Sequence, residues 1–178
     1  LDLHEAMPDL IVRARLEKAN GRSDNQIIWT QGASVPFNQQ AASLDLMNTW
    51  LGNMAADPAP PSTDKVVRNK PKGATDACWN SQGKRIDEVA SLEPTTACNT
   101  LYPRYSTPRM TAGAPLANDV IKCQLKPVNM ADYKVPFTAL QTQRLNELFK
   151  GGVCDWSQPG VGQMKPVGTY LRLPLTLQ

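Results

Sequence analysis

Gln26-Ile27-Ile28-Trp29 decides how the first third of the chain is organised, because this β-branched and aromatic run stands between two stretches of helical period. Such side chains fit a pleated, buried surface, so the run predicts a strand. Upstream, residues 1–4 have the character of a strand end entering a loop, and Pro8 suits the first turn of a helix running to about Ala19. Val12, Leu16 and Ala19 share one face of that helix, and Asn20-Gly21 supplies its stop. Downstream, a second helix starts near Asn38 and carries Leu44, Met47, Leu51 and Met54 at spacings of three and four, flanked by Leu46 and Trp50. It ends before Asp57-Pro58, since the residue ahead of a proline avoids helical backbone angles. Helix, strand and helix in this order predict an α/β fold over residues 1–57, the end of a parallel sheet covered by helices. A parallel strand buried on both faces needs neighbours, so the remaining strands are expected on upstream chain or on a companion chain.

Beyond Pro58 the periodicity disappears as far as Lys134, apart from a short stretch at Asp119 to Leu125. The fifteen prolines and eleven glycines concentrate between Asp57 and Pro115 and again after Gly151. A structureless stretch of this length is uncommon in a packed domain unless cross-links replace the missing core. One helix follows, with Thr138 as N-cap, Gln141 completing a capping box, Leu145, Leu148 and Phe149 as the apolar side and Gly151-Gly152 as the stop. In the tail, Leu171, Leu173, Leu175 and Leu177 alternate with Tyr170, Arg172 and Thr176, and Pro174 makes this an edge strand. Residues 58–178 are therefore expected as an irregular, disulfide-bonded extension with one helix and a terminal edge strand.

A net charge of +3 and interleaved acids and bases, such as Asp64, Lys65, Arg68, Asp76, Lys84, Arg85 and Asp87, lack the dense basic stripe of a nucleic-acid binder. No apolar run approaches the ~20 residues of a membrane span. Cys78, Cys98, Cys123 and Cys154 lie 20, 25 and 31 positions apart, without a close-spaced ligand pair and with a single histidine in the chain. That spacing argues against metal and for two disulfides, hence a secreted or periplasmic protein. The chain opens on Leu1-Asp2-Leu3 with no initiating Met, which is expected of a processed or truncated start.

His4 is the only imidazole, and it shares with Asp2 a loop between a strand end and a helix. In open α/β sheets such loops gather catalytic groups, so His4 is a candidate catalytic residue. Gly32-Ala33-Ser34-Val35-Pro36 comes nearest to a nucleophile elbow, but its last residue is proline, where the strained turn needs a small residue. Gly160-Val161-Gly162 lacks the flanking strand and helix of a phosphate loop, and no cofactor is expected. Bridged cysteines cannot act as nucleophiles.

The run from Trp50-Leu51 through Pro58, with Cys98, Tyr102-Pro103, Pro108-Arg109, Gly113, Asn118 and Cys123, resembles the carboxyl-terminal region of tannase and feruloyl-esterase-like α/β-hydrolases. Over nearly the whole chain it also resembles an uncharacterised family of large secreted bacterial proteins with an α/β-hydrolase core. The shared phrases are Arg13-Ala14-Arg15-Leu16, Ala19-Asn20-Gly21, Asp24-Asn25-Gln26, Asp76-Ala77-Cys78-Trp79, Lys122-Cys123-Gln124-Leu125 and Gly151-Gly152-Val153-Cys154-Asp155. The resemblance implies that Asp2 follows the penultimate core strand, where the triad acid sits, and that Gln26 to Trp29 is the last core strand. The triad His normally follows that strand, but Thr30-Gln31-Gly32 holds none, so either His4 takes the base role from the preceding loop, with Asp2 as its orienting acid, or the protein is inactive as a serine hydrolase of the usual kind. Four cysteines allow three pairings; the tannase-like resemblance implies Cys98–Cys123, and with it Cys78–Cys154. Two functions remain open. One is the carboxyl-terminal part of a secreted bacterial ester hydrolase, its nucleophile on upstream or companion chain and its substrate a small or polymeric ester. The other is a non-catalytic cap of an inactive, hydrolase-like protein.

Overall fold

In a computed structural model, residues 7–164 are described, and the chain divides into two units, Leu1–Ala117 and Asn118–Gln178. The expected strand end at residues 1–4, together with Asp2 and His4, and the expected tail strand at Thr169 to Leu177 lie outside the described residues.

Helix α1 spans Met7–Asn20, with Asp9 in its first turn, Lys18 in its last and Gly21 beyond it at φ +71°. The Gly21 N–H bonds the Glu17 carbonyl at 2.8 Å, the left-handed closure that glycine adopts without strain. Its inward side differs from the expected one. Met7 and Leu10 are buried, whereas Val12 is 46% exposed and Ala19 is exposed. The cause is Arg13, whose guanidinium turns inward to a carboxylate sixty-three positions away.

That carboxylate, Asp76, opens the middle strand of a three-stranded sheet of order β1-β2-β3. Strand β1 (Trp29–Thr30) runs parallel to β2 (Ala77–Trp79), and β3 (Arg85–Asp87) runs antiparallel to β2. The β2–β3 turn is organised by Asn80, whose Oδ1 accepts from the N–H groups of Gln82 and Lys84, and by Gly83 at φ +76°. All of β2 is buried, and Cys78 has no exposed surface. A buried strand of three residues is too short to leave a periodic trace, which is why the stretch after Pro58 reads as loop. The β1–β2 pairing also runs across the boundary expected near Asp57.

Helix α2 (Gln39–Ala56) is N-capped by Asn38, whose Oδ1 accepts from the Ala41 N–H at 3.0 Å, and it ends at Asp57 ahead of Pro58. The flank named from the sequence, not the main stripe, faces inward. Trp50 is 5% exposed and donates its indole N–H to the Val66 carbonyl at 2.7 Å, and Leu46 beside it is half-buried. Leu44, Met47 and Leu51 face outward. Short helices α3 (Thr63–Arg68), α4 (Ala97–Leu101) and α5 (Pro108–Thr111) complete this unit, capped by Ser62, Thr96 and Thr107.

In the second unit, β4 (Gln124–Lys126) pairs antiparallel with β5 (Val153–Asp155), Leu125 opposite Cys154. Between them, helix α6 (Ala139–Leu148) has the expected capping box, both Thr138 and Gln141 bonds present. Gly152, at φ +100°, lets the chain turn back against β4; a Cβ there would lie 2.6 Å from the Lys126 carbonyl oxygen.

The disulfides correct the expected pairing. They join Cys78 to Cys98 and Cys123 to Cys154, not Cys98 to Cys123 and Cys78 to Cys154. Two local arrangements decide this. Helix α4 packs on β2, its first turn held by the Glu88 carboxylate accepting from the N–H groups of Ala97 and Cys98, so Cys98 lies beside Cys78. The β4–β5 ladder sets Cys123 beside Cys154. Each bridge thus closes within one unit.

Candidate functional site

The first unit is organised around Asp76. Its Oδ1 accepts from the Ile28 N–H and an Arg13 N–H, each at 2.9 Å, and its Oδ2 accepts from the Ala90 N–H at 2.9 Å and from Arg13 Nη1 at 2.5 Å. One carboxylate therefore ties α1, the entry to β1 and the segment after β3. Its side chain is 8% exposed and that of Arg13 15%. Burial works to raise the Asp76 carboxyl, but Arg13 and the two amides outweigh it and hold the group below the ordinary carboxylate value. The same hydrogen bond raises Arg13.

A second half-buried cation stands nearby in the same unit. Arg104 donates to the Ser91 carbonyl, to Asn99 Oδ1 and, at 2.8 Å, to the hydroxyl of Thr30, while its buried Nε–H has no hydrogen-bond partner. Burial lowers its basicity, and Asp9 and Asp76 oppose that shift. Asp9 responds in the opposite sense, since burial raises its carboxyl while Arg104 and Arg13 pull it back.

Aromatic rings fill the adjoining space. Phe37 stacks on Trp79 with centroids 4.4 Å apart, Trp29 meets the same ring edge-on at 5.2 Å, and Arg85 lies over both indoles at 5.6 and 5.7 Å. Trp29 donates its indole N–H to the Thr75 carbonyl, and the Tyr102 hydroxyl donates to the Trp79 carbonyl. These rings hold β1 and β2 together.

Between the start of α1, residues 25–29 and α2 lies a cleft of about 370 Å³. Leu46, Met47 and Trp50 form an apolar wall, and Asp9 and Asn25 line its polar side. The Asn25 Oδ1 is buried without a hydrogen-bond partner. Gln39, also lining the cleft, spends its side-chain N–H on the Trp29 carbonyl.

The loop after β1 is locked in place. Thr30 is held by Arg104, and Gln31 donates to the Phe37 carbonyl at 3.2 Å with its Oε1 buried and without a partner. Ser34 is exposed in a turn closed by the Val35 N–H on the Gly32 carbonyl. The amides of Gly160 and Val161 bond Gln163 and Lys122, so they form no anion cradle. Among the described residues no group of three or more His, Cys, Asp and Glu side chains could hold a metal ion, and no helix is long and apolar enough to cross a membrane.

Sequence reasoning did not anticipate the Arg13–Asp76 pair, although both residues stand inside the phrases that carried the resemblance, Arg13-Ala14-Arg15-Leu16 and Asp76-Ala77-Cys78-Trp79. No curated protein and no solved structure was found to match the chain. The pattern of a tannase-like family of unknown function does match it, over residues 1–165, and the chain belongs to that family.

Proposed function

We propose that the chain is the carboxyl-terminal part of a secreted bacterial ester hydrolase with an α/β-hydrolase core, in which Asp2 and His4 serve a nucleophile on an upstream segment or companion chain. The observation that carries this reading is the bare side of α2. Leu44, Met47 and Leu51 are 70, 51 and 54% exposed on a helix whose only charged residue is Asp45. Full burial of a large apolar side chain contributes about 1.5–3 kcal/mol, so a covering layer of the same enzyme would gain several kcal/mol from these three residues. The tannase-like family supports the ester-hydrolase class, and the two disulfides fit an oxidising compartment. In this mechanism His4 takes the proton of the attacking hydroxyl and Asp2 holds the imidazole in the required tautomer.

Labelling of the full-length protein by a fluorophosphonate probe, lost with ester hydrolysis in His4→Ala while the fold is retained, is the expected result. Full activity in His4→Ala would overturn the assignment of the base.

One observation favours a second reading, a non-catalytic cap. The position where the hydrolase plan keeps a histidine is filled by Thr30-Gln31, tied to Arg104 and to the Phe37 carbonyl. Absence of fluorophosphonate labelling on the intact, folded protein would favour the cap.

A further inference from the structure

We propose that the Cys123–Cys154 disulfide is a thiol-sensitive latch that holds residues 118–164 folded and opens to a dithiol reductant while Cys78–Cys98 stays closed. Two contrasts carry the inference. The first is access. Thiol–disulfide exchange needs a thiolate to reach one of the bridged sulfurs. Cys78 has no exposed surface and Cys98 is 6% exposed, enclosed by β2 and α4, whereas Cys123, just ahead of β4, and Cys154, on the three-residue β5, are both part-exposed.

The second contrast is what remains once the bridge is gone. The first unit has a core that includes Met7, Leu10, Ile28, Trp50, Ala77 and Trp79, joined by the Arg13–Asp76 pair. Among the described residues of the second unit only Val120 and Gly160 are buried, and α6 buries none of its ten residues. Its apolar side chains lie open, Leu140 at 79%, Leu148 at 59% and Phe149 at 46% exposure. With so little apolar surface removed from water, the closed loop of 31 positions is the main restraint on α6 and β5.

The chemistry is two exchanges. A thiolate of the reductant attacks one bridge sulfur, forming a mixed disulfide and releasing the other cysteine as thiolate. The second thiol of the reductant then closes on its own sulfur and releases the remaining cysteine. The protein gains two thiols, and the dithiol becomes a cyclic disulfide. Since the strands of the latch are short and partly exposed, the freed ends separate and the segment unfolds. A reducing compartment would keep this unit open, and an oxidising one would close it.

The experiment is graded treatment of the full-length protein with dithiothreitol, alkylation with iodoacetamide, peptide mapping and amide hydrogen exchange. The expected species carries label on Cys123 and Cys154 only, with protection lost over 118–164 and retained in β2 and β3. The double variant Cys123→Ser/Cys154→Ser should show the same loss without reductant. Label on Cys78 and Cys98 at the same reductant concentration would overturn the proposal. So would protection over 118–164 that survives reduction, or loss of protection in β2 and β3 in the double variant.

Discussion

Replacing Arg13 by methionine keeps most of the side-chain bulk and removes the charge that faces Asp76. Removing one partner of a buried ion pair costs ~3–5 kcal/mol, because the other charge stays behind in a poorly solvating site. Here the carboxylate retains the Ile28 and Ala90 amides, and the two side chains keep 15% and 8% exposure. The expected cost is therefore about 2–4 kcal/mol. Urea unfolding followed by tryptophan fluorescence reads it, since Trp29, Trp50 and Trp79 all lie in the first unit. With a slope of ~2 kcal/mol per molar urea, the midpoint should fall by about 1–2 M.

The pH dependence supplies a second check on the same variant. In the native protein Asp76 lies below its unfolded value, so its stabilisation is full above that value and is lost as pH falls through the folded pKa. In Arg13→Met the guanidinium that holds the carboxyl down is gone while its burial remains, so the folded pKa rises. The carboxyl then contributes less stability at neutral pH than in the native protein, and the two proteins differ less in acid, where the group is protonated in both. The gap between variant and native protein should thus be widest near pH 7 and narrow towards about pH 3. Adding Asp76→Asn to Arg13→Met should recover part of the loss, as coupled partners do in a double-mutant cycle. A cost under about 0.5 kcal/mol at pH 7, or one that does not change with pH, would refute the assignment of Asp76 as the organising charge.

Trp50→Ala should destabilise the first unit by about 3–5 kcal/mol in the same urea assay, through loss of the buried ring and of the bond to the Val66 carbonyl. Gly152→Ala should selectively lower hydrogen-exchange protection across β4 and β5, because a Cβ at φ +100° would sit 2.6 Å from the Lys126 carbonyl oxygen. Asp57 should titrate at about 2 by NMR, held down by the Ala59 amide, Asn69 and Arg68. Its stabilising effect on the α2–α3 junction is present above the ordinary carboxylate value and lost as pH falls towards that point; Asn69→Ala should move the titration upward.

Three helices were legible from the sequence because their signals are local. Pro8 and Gly21 frame α1, Asn38 and Asp57-Pro58 frame α2, and Thr138 with Gln141 opens α6, each acting through bonds to backbone groups within a few residues. The inward face of α1 and α2 was not legible in the same way. Spacing lists which side chains share a face, but Arg13 rotates one helix towards Asp76 and Trp50 anchors the other on Val66, and both partners lie beyond the helix itself. Strand β2 escaped because three residues buried on every side carry no period. The cysteine pairing escaped for a related reason. Four thiols at wide spacing are chemically equivalent along the chain, and only the packing of α4 on β2 and the ladder of β4 with β5 bring particular sulfurs together. What the sequence determined by itself was what neighbouring residues can satisfy among themselves. What the tertiary structure decided was which distant groups share the water-excluded space, where an unpaired charge such as that of Asp76 is costly enough to select its partner.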